Sequence, residues 1–271
     1  MVSTIQNTDV KQTRQTLLSS LKKDADHAVV VAITSHAAFE SGADDGDEVY
    51  REGVAFPLLQ ALQKVNERLL EENPAESLLF DVILITTDSQ QQQQSSRVIS
   101  STRHYGLEVS RFCFSSEEDF IESLQKNNVK LFLTTDTNEV TQASQTGVVS
   151  VLLDQQTAVC PSEQLRVMFC GDAVIRPDTG PMPLTRQAAQ SFSTQLGEMR
   201  QKFGMFDSPL SFILVTSHGG RESCRGALQM LRSRGVSVDE AYCLAGAPRG
   251  PMLSLVQPHF LLRDGYSSLE E

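Results

Sequence analysis

The stretch "LRVMFCGDAVIRPD", residues 165–178, decides how this sequence is interpreted. A short apolar run, as expected of a buried strand, ends at Cys170 and continues through Gly171 and Asp172. The spacing is that of a catalytic turn in which two acidic residues flank a glycine, but the first position holds a thiol. Cys170 is therefore a reactive cysteine, an ordinary buried one, or the replacement of a different nucleophile.

Composition describes a globular protein and excludes some partners. The chain has 271 residues, of which 40% are hydrophobic and 21% charged, enough to bury a sizeable core. Its net charge is −11 and no Lys/Arg cluster occurs, so nucleic acid is not expected as a partner. The sequence has no apolar run long enough to cross a membrane and no signal-peptide pattern, so we expect a cytoplasmic protein without a membrane partner.

The cysteines predict no disulfide framework and no metal centre. Their number is odd, and they lack the paired spacing of metal ligands. Three of them fall in strand-like apolar runs, so reduced and buried thiols are expected. The five positions are 113, 160, 170, 224 and 243.

Apolar runs alternate with amphipathic segments along the whole chain. This alternation is typical of an α/β fold with parallel sheets and flanking helices. Helical periodicity is clearest at 57–70 and 224–234. A polar stretch, "SQQQQQSSR" at 89–97, predicts a loop and the start of another helix. The predicted strands are 28–34, 80–86, 109–114, 129–134, 148–153, 165–169, 210–216, 240–245 and 259–262.

The second half of the chain repeats the first. "VILITTDS" at 82–89 is similar to "FILVTSHG" at 212–219, and "RHYGLEVSRFCFSS" at 103–116 is similar to "RSRGVSVDEAYCLAG" at 232–246. The nearly constant offset predicts an ancient duplication of one α/β half, although parallel α/β sequences also resemble one another in general. The predicted units are a polar tail at 1–27, an N-terminal half at 28–155, and a C-terminal half at 160–271 that carries the site.

Polar residues follow the predicted strands of the second half. Loops at the carboxyl ends of parallel strands meet at one edge, where ligands bind. An acid, two hydroxyls and a cation at such an edge predict a phosphate pocket, and carboxylates there would hold Mg²⁺. The residues concerned are Cys170, Asp172, Thr216, Ser217, Arg249 and Asp264.

Five ordered stretches resemble the cytosolic type I 5′-nucleotidases, within the haloacid-dehalogenase superfamily. They cover residues 28–264 and are "GVAFPLLQALQKVN" from Gly53, "FDVILITT" from Phe80, "LRVMFCGDAV" from Leu165, "GAPRGP" from Gly246 and "PHFLL" from Pro258. The resemblance implies a Rossmann-like dehalogenase fold. It also implies Mg²⁺-dependent removal of phosphate from nucleoside 5′-monophosphates, chiefly AMP.

The same resemblance implies a role for each matching position. Cys170 stands where the family has its nucleophilic Asp, and Asp172 matches the general acid/base. Thr216, beside Ser217, matches the phosphate-binding hydroxyl. Arg249 replaces a Lys that steadies the phosphate.

Further matches concern the metal and the substrate. Arg263 replaces the first acid of the fourth loop and Asp264 matches the second, which leaves Asp264 and Asp172 as weak metal ligands. Thr86 and Thr87 match a stretch that lies near the substrate in the family.

The replacements of family residues at Cys170 and Arg263 predict impaired catalysis. A thiol is a poor partner for Mg²⁺, and Arg263 places positive charge where a metal requires negative charge. Three outcomes stay open: loss of activity with a retained fold, residual hydrolysis through Asp172 and Asp264, and a cysteine nucleophile at Cys170. A protein of another class is the alternative, namely a non-catalytic nucleotide-binding or regulatory subunit. It would bind AMP or phosphate and assemble with itself or with active family members.

Overall fold

The structure, a computed structural model, describes residues 28–40, 49–77, 79–86, 91–115, 119–153, 163–175, 183–204, 207–218, 220–263 and 267–268. The predicted tail 1–27, Cys160, Thr87 and Asp264 lie outside the described residues. All nine predicted strands are present. The strands are β1 (Val29–Thr34), β2 (Phe39–Glu40), β3 (Arg51–Glu52), β4 (Phe80–Thr86), β5 (Arg111–Phe114), β6 (Leu131–Thr134), β7 (Val149–Leu152), β8 (Leu165–Cys170), β9 (Leu210–Thr216), β10 (Glu240–Cys243), β11 (Phe260–Leu262) and β12 (Ser267–Ser268).

Helices connect these strands. Both helices predicted from periodicity are present, and the polar stretch that follows β4 enters a helix at Gln91. The helices are α1 (Ser35–Ala38), α2 (Phe56–Glu72), α3 (Gln91–His104), α4 (Phe120–Lys126), α5 (Thr137–Gln145), α6 (Gly171–Val174), α7 (Leu184–Arg200), α8 (Gly220–Ser233) and α9 (Gly250–Val256).

Two parallel sheets make up most of the described structure. The first has six strands in the order β12-β7-β6-β1-β4-β5, and the second has four in the order β10-β9-β8-β11. A short antiparallel ribbon pairs β2 with β3. The α/β class with parallel sheets and flanking helices is thus confirmed.

Strand order is shared between the two sheets. The arrangement β6-β1-β4-β5 in the first sheet corresponds to β11-β8-β9-β10 in the second. A duplicated half would produce this correspondence, but doubly wound α/β sheets adopt the same order generally. The duplication therefore stays a prediction.

Consecutive apolar residues explain why the central strands lie where they do. Every residue of β1, β4 and β9 is buried, as required in a parallel sheet covered on both faces. The edge strand β10 is different, because its side chains are exposed or half-buried. Cys243 is consequently exposed, and the prediction of a buried thiol there was wrong.

Two helices pack between the sheets. Helix α2 has Pro57 in its first turn, where proline fits, and contacts both β4 and β8. Helix α7 contacts β7, and its Phe192 packs on Phe260 of β11 with ring centroids 6.4 Å apart. One apolar cluster runs through both sheets and both helices, so they share a core.

Ion pairs at the surface add little to this association. Lys64 lies 2.5 Å from Glu163, and Lys202 lies 2.5 Å from Glu76. Exposed pairs of this kind contribute about 1 kcal/mol or less. The shared apolar core therefore dominates the contact between the sheets. Among the described residues, no helix is long and apolar enough to span a bilayer.

Candidate active site

The carboxyl edge of the second sheet gathers most of the predicted site. Strands β8, β9 and β10 are parallel and in register, with Cys170 opposite Val215 and Cys243 opposite Thr216. Their following loops leave the sheet on the same side. The edge predicted from the order of the strands is therefore present.

Asp172 is anchored at this edge. It lies in the single turn of α6, directly after β8. Its carboxylate accepts hydrogen bonds from the backbone N–H of Ser217 at 2.8 Å and of His218 at 3.3 Å. The loop after β9 thus fixes the position of the acid.

Arg249 meets the same loop. Its Nη2 donates to Ser217 Oγ at 2.9 Å. The half-buried Arg249 precedes α9, whose next residues are Gly250 and Pro251. Asp172, Ser217 and Arg249 are thus brought together, as predicted, into one hydrogen-bonded chain that carries both an acid and a cation.

Thr216 is buried behind that chain. It is 0% exposed, and its hydroxyl donates toward the Tyr242 carbonyl at 3.4 Å. Its methyl group faces Gly171, where an added Cβ would come within 2.4 Å of Thr216 Cγ2. The glycine of the turn is therefore required by the close approach of β9.

Cys170 lies on the apolar side of the turn. It is 4% exposed and belongs to a buried cluster with Met168, Val215, Met252 and Leu253. Its neighbours in this cluster offer no charged group to activate a thiol. The position therefore fits an ordinary buried cysteine.

Arg263 does not join the Asp172 chain. It lines a separate pocket between the ends of β8 and β11, together with Arg186 of α7 and Arg234, which follows α8. Sequence reasoning missed Arg186 and Arg234 because neither lies in a motif. Only tertiary packing brings them beside Arg263.

Thr86 lies in the other sheet. It ends β4, is 3% exposed and is far along the chain from the Asp172 edge. The counterpart of Asp172 in the first sheet is His36, whose Nε2 lies 3.2 Å from Thr34 Oγ1 and 3.2 Å from Thr134 Oγ1. The first sheet therefore carries a polar cluster at this edge, in which histidine replaces the aspartate and the Glu139 carboxylate lies 3.8 Å from His36 Nε2.

Magnesium does not fit the described residues at this edge. Mg²⁺ requires several oxygen ligands in octahedral geometry. Asp172 already accepts two backbone hydrogen bonds, and Cys170, two residues before it, offers a sulfur in place of a carboxylate. No group of three or more His, Cys, Asp or Glu side chains in the described part of the chain is arranged to hold a metal ion.

Parallel Rossmann-like sheets flanked by helices are consistent with the dehalogenase-like fold class. A sequence model described as 5′-nucleotidase matches residues 39–182, which include the Cys170–Asp172 turn. The chain belongs to the 5′-nucleotidase family.

A human relative supports the family assignment. Cytosolic 5′-nucleotidase 1B from Homo sapiens is 30% identical over an alignment of 291 positions, gaps included, that covers 90% of this chain and 47% of that protein. The chain thus spans about half the length of this relative.

Solved structures are less similar. A short chain dehydrogenase/reductase from Burkholderia phymatum in complex with NAD superposes with a TM-score of 0.21 and 8% identity, over 88% of this chain and 89% of that one. A PilB minor pilin from Streptococcus sanguinis gives a TM-score of 0.16 and 11% identity, over 83% of this chain and 59% of that one. Neither likeness carries a structural or functional argument.

Proposed function

We propose that this chain is a 5′-nucleotidase-family protein whose hydrolysis of nucleoside 5′-monophosphates, chiefly AMP, is strongly impaired or lost. One observation carries the proposal. The residue at the nucleophile position is Cys170, and it is 4% exposed within an apolar cluster. A group that attacks phosphorus must reach the substrate, whereas this thiol belongs to the same buried apolar cluster as Met252 and Leu253.

Two chemical reasons support the loss of hydrolysis. The family mechanism requires a carboxylate that attacks phosphorus and also supplies an oxygen to Mg²⁺, and a buried thiol supplies neither. Arg263 stands where the family has an acid and lines a pocket with two further arginines. A guanidinium in place of that carboxylate removes one oxygen ligand from the metal site.

Other residues at this edge support phosphate binding without hydrolysis. Arg249 and Ser217 are hydrogen-bonded beside Asp172 and offer a cation, a hydroxyl and backbone N–H groups close to one another. Such groups hold phosphate oxygens. We assign phosphate contacts to Ser217 and Arg249, whereas Thr216, predicted for the same role, is fully buried behind them. Asp264 is the remaining candidate metal ligand, and Thr86 and Thr87 the remaining substrate contacts.

The test is phosphate release from AMP in the presence of Mg²⁺. The wild type and Asp172→Asn are expected to release phosphate from AMP at the same low rate. Cys170→Asp restores the missing carboxylate, and Cys243→Asp is its control, because it makes the same change at an exposed cysteine. Rapid release by the wild type that collapses in Asp172→Asn contradicts the proposal.

Variants that restore carboxylates also distinguish the effect of Cys170 from the effect of Arg263. Release gained by Cys170→Asp alone assigns the impairment to position 170. If only the double variant Cys170→Asp, Arg263→Asp gains activity, Arg263 contributes to the loss as well. Circular dichroism checks that each variant is folded, since a carboxylate at position 170 enters an apolar cluster.

A non-catalytic nucleotide-binding or regulatory subunit is the second candidate function, favoured by the retained Arg249–Ser217 pair. Such a protein would act in the cytoplasm and assemble with itself or with active family members. Thermal unfolding with AMP, with and without Mg²⁺, tests the binding. A melting temperature unchanged by AMP in both conditions rejects nucleotide binding.

A further inference from the structure

Three arginines form a row along helix α8. Arg225 lies four residues after Arg221 and seven before Arg232, and all three residues are exposed. An α-helix turns by about 100° per residue, so residues at these spacings lie on one side of it. We call Arg221, Arg225 and Arg232 the arginine row.

The described part of the chain does not neutralise the arginine row. None of its three side chains makes a hydrogen bond or an ion pair with another described residue. Elsewhere on the surface, Arg68 and Arg200 each meet a carboxylate. In a chain of net charge −11, the row is therefore a local concentration of positive charge that is open to acidic groups of another molecule.

The packing of α8 places the arginine row beside the edge strand β10. Ala227 and Leu231 form the buried side of the helix, which contacts β9 and β10. Gly226 faces the β8 side of the sheet, because a Cβ added there would be 3.6 Å from Ile175, directly after α6. From the helical repeat, Gly226 and the row lie on opposite flanks of the buried side. The row is thus on the flank nearer to β10, at the border of the sheet.

Strand β10 is an open edge on the same border. Among the described strands it pairs with β9 alone. Tyr242 packs in the cluster of Met252, so the exposed Ala241 and Cys243 lie on the opposite face, toward α8. These small side chains leave room for an incoming strand. Glu240 shares the face of Tyr242 and bonds to its hydroxyl, so this carboxylate does not compensate the row.

A second copy of this chain is a poor partner for the open edge. Antiparallel pairing of β10 with β10 of another copy would place both α8 helices on the same face of the joined sheet, related by a two-fold axis. The two arginine rows would then approach each other and repel. Positive charge beside an edge strand thus disfavours self-pairing and selects for a partner of opposite charge.

We propose that β10 and the arginine row bind an extended acidic segment of a partner protein, which adds a strand to the second sheet. The backbone of the segment would pair with the free N–H and C=O groups of β10. Its alternate side chains would face α8, where carboxylates meet the guanidinium groups of the row. This surface does not depend on whether AMP is hydrolysed.

Fluorescence anisotropy of labelled eight-residue peptides with the full chain tests the proposal. The first peptide alternates threonine and glutamate, so in an extended conformation all its carboxylates lie on one face. The second has the same composition in two blocks, which places carboxylates on both faces, and the third alternates threonine and lysine. We expect the first to bind about tenfold more tightly than the second and to weaken as salt rises, and the third not to bind.

A variant of the arginine row locates the contact. Arg221→Gln, Arg225→Gln and Arg232→Gln together are expected to raise the Kd of the alternating acidic peptide about tenfold, which corresponds to about 1.4 kcal/mol. All three positions are exposed, so the fold should be retained. Thermal unfolding verifies this, and sedimentation measures whether the variant self-associates.

A matched control separates the row from the net charge. It removes three positive charges at exposed positions in the first half of the chain, through Arg51→Gln, Arg103→Gln and Lys126→Gln. The change in net charge is the same as in the row variant. Because these positions lie outside α8 and β10, the Kd of the alternating acidic peptide should stay unchanged.

Three results overturn the proposal. The first is a wild type that does not bind the alternating acidic peptide; if the row variant also self-associates, the row serves only to keep β10 unpaired. The second is equal binding of the two acidic peptides, which assigns the attraction to charge without strand pairing. The third is an equal change of Kd in the row variant and the control. AMP hydrolysis enters none of these measurements, so the proposed function stands or falls separately.

Discussion

Buried His259 makes the stability of this protein sensitive to mild acid. The ring is 2% exposed, and its Nδ1 accepts a hydrogen bond from the Arg166 N–H at 3.0 Å. Its Nε2 has no hydrogen-bond partner among the described residues. Burial and the nearby Arg166 charge lower the pKa of His259 to about 4. The neutral imidazole is therefore the form that the fold requires.

The sign and size of the effect follow from this shift. The unfolded chain takes up a proton at His259 as pH falls through its usual pKa of 6.5, whereas the folded chain does so only near 4. Stability is fully present above pH 6.5 and is lost progressively down to about pH 4. At about 1.4 kcal/mol per pH unit, the free energy of unfolding should fall by about 3 kcal/mol from this group alone.

Urea unfolding of the wild type and of His259→Asn over this pH range measures the effect. Asparagine keeps an oxygen acceptor for the Arg166 N–H but does not titrate. Because carboxylates also titrate in acid, the quantity to read is the difference between the two proteins. That difference should shrink by about 3 kcal/mol as pH falls. His104→Asn, at an exposed histidine, should show no such trend. If the free energies of unfolding of the wild type and of His259→Asn change equally with pH, the reasoning is refuted.

Two further predictions concern stability. Gly171→Ala places a Cβ 2.4 Å from Thr216 Cγ2 and should cost about 1–3 kcal/mol in urea unfolding. Gly226→Ala, whose Cβ would be 3.6 Å from Ile175, should be neutral or stabilising, and Thr216→Ser should reduce the cost of the first change. Asn66→Ala removes bonds to the Phe80 carbonyl at 2.8 Å and to the Phe80 N–H at 3.0 Å, so it should cost about 2–4 kcal/mol. Gln63→Ala, on the same helix and partly exposed, should cost less than half as much. Equal losses of stability in the two variants would show that the burial of Asn66 does not set the cost.

Much of the fold could be predicted because its central strands are buried on both faces. Strands such as β1 and β9 are then runs of consecutive apolar residues, which stand out in any sequence. Short polar elements gave no such signal. Helix α5 is held by its N-cap, where Asp136 accepts from the Asn138 N–H at 2.6 Å, and β12 contains only two serines.

The site was predictable to the extent that chain order determines geometry. Asp172, Ser217 and Arg249 follow successive parallel strands or their connections, so they had to meet at one edge. Arg186 and Arg234 depend on how α7 and α8 pack, which no local pattern records. Exposure of Cys243 depends on its strand being at a sheet edge, a property of the assembled sheet and not of the strand itself.

The pairing of β12 joins the two sheets through the backbone. After the second sheet is complete at β11, the chain returns to the first sheet, where Ser267 and Ser268 pair with Val151 and Leu152 of β7. The N-terminal half of the sequence therefore does not hold all the strands of its own sheet. Unfolding should proceed as a single cooperative transition, and a fragment that ends before β12 would expose the backbone of β7 as an unprotected edge.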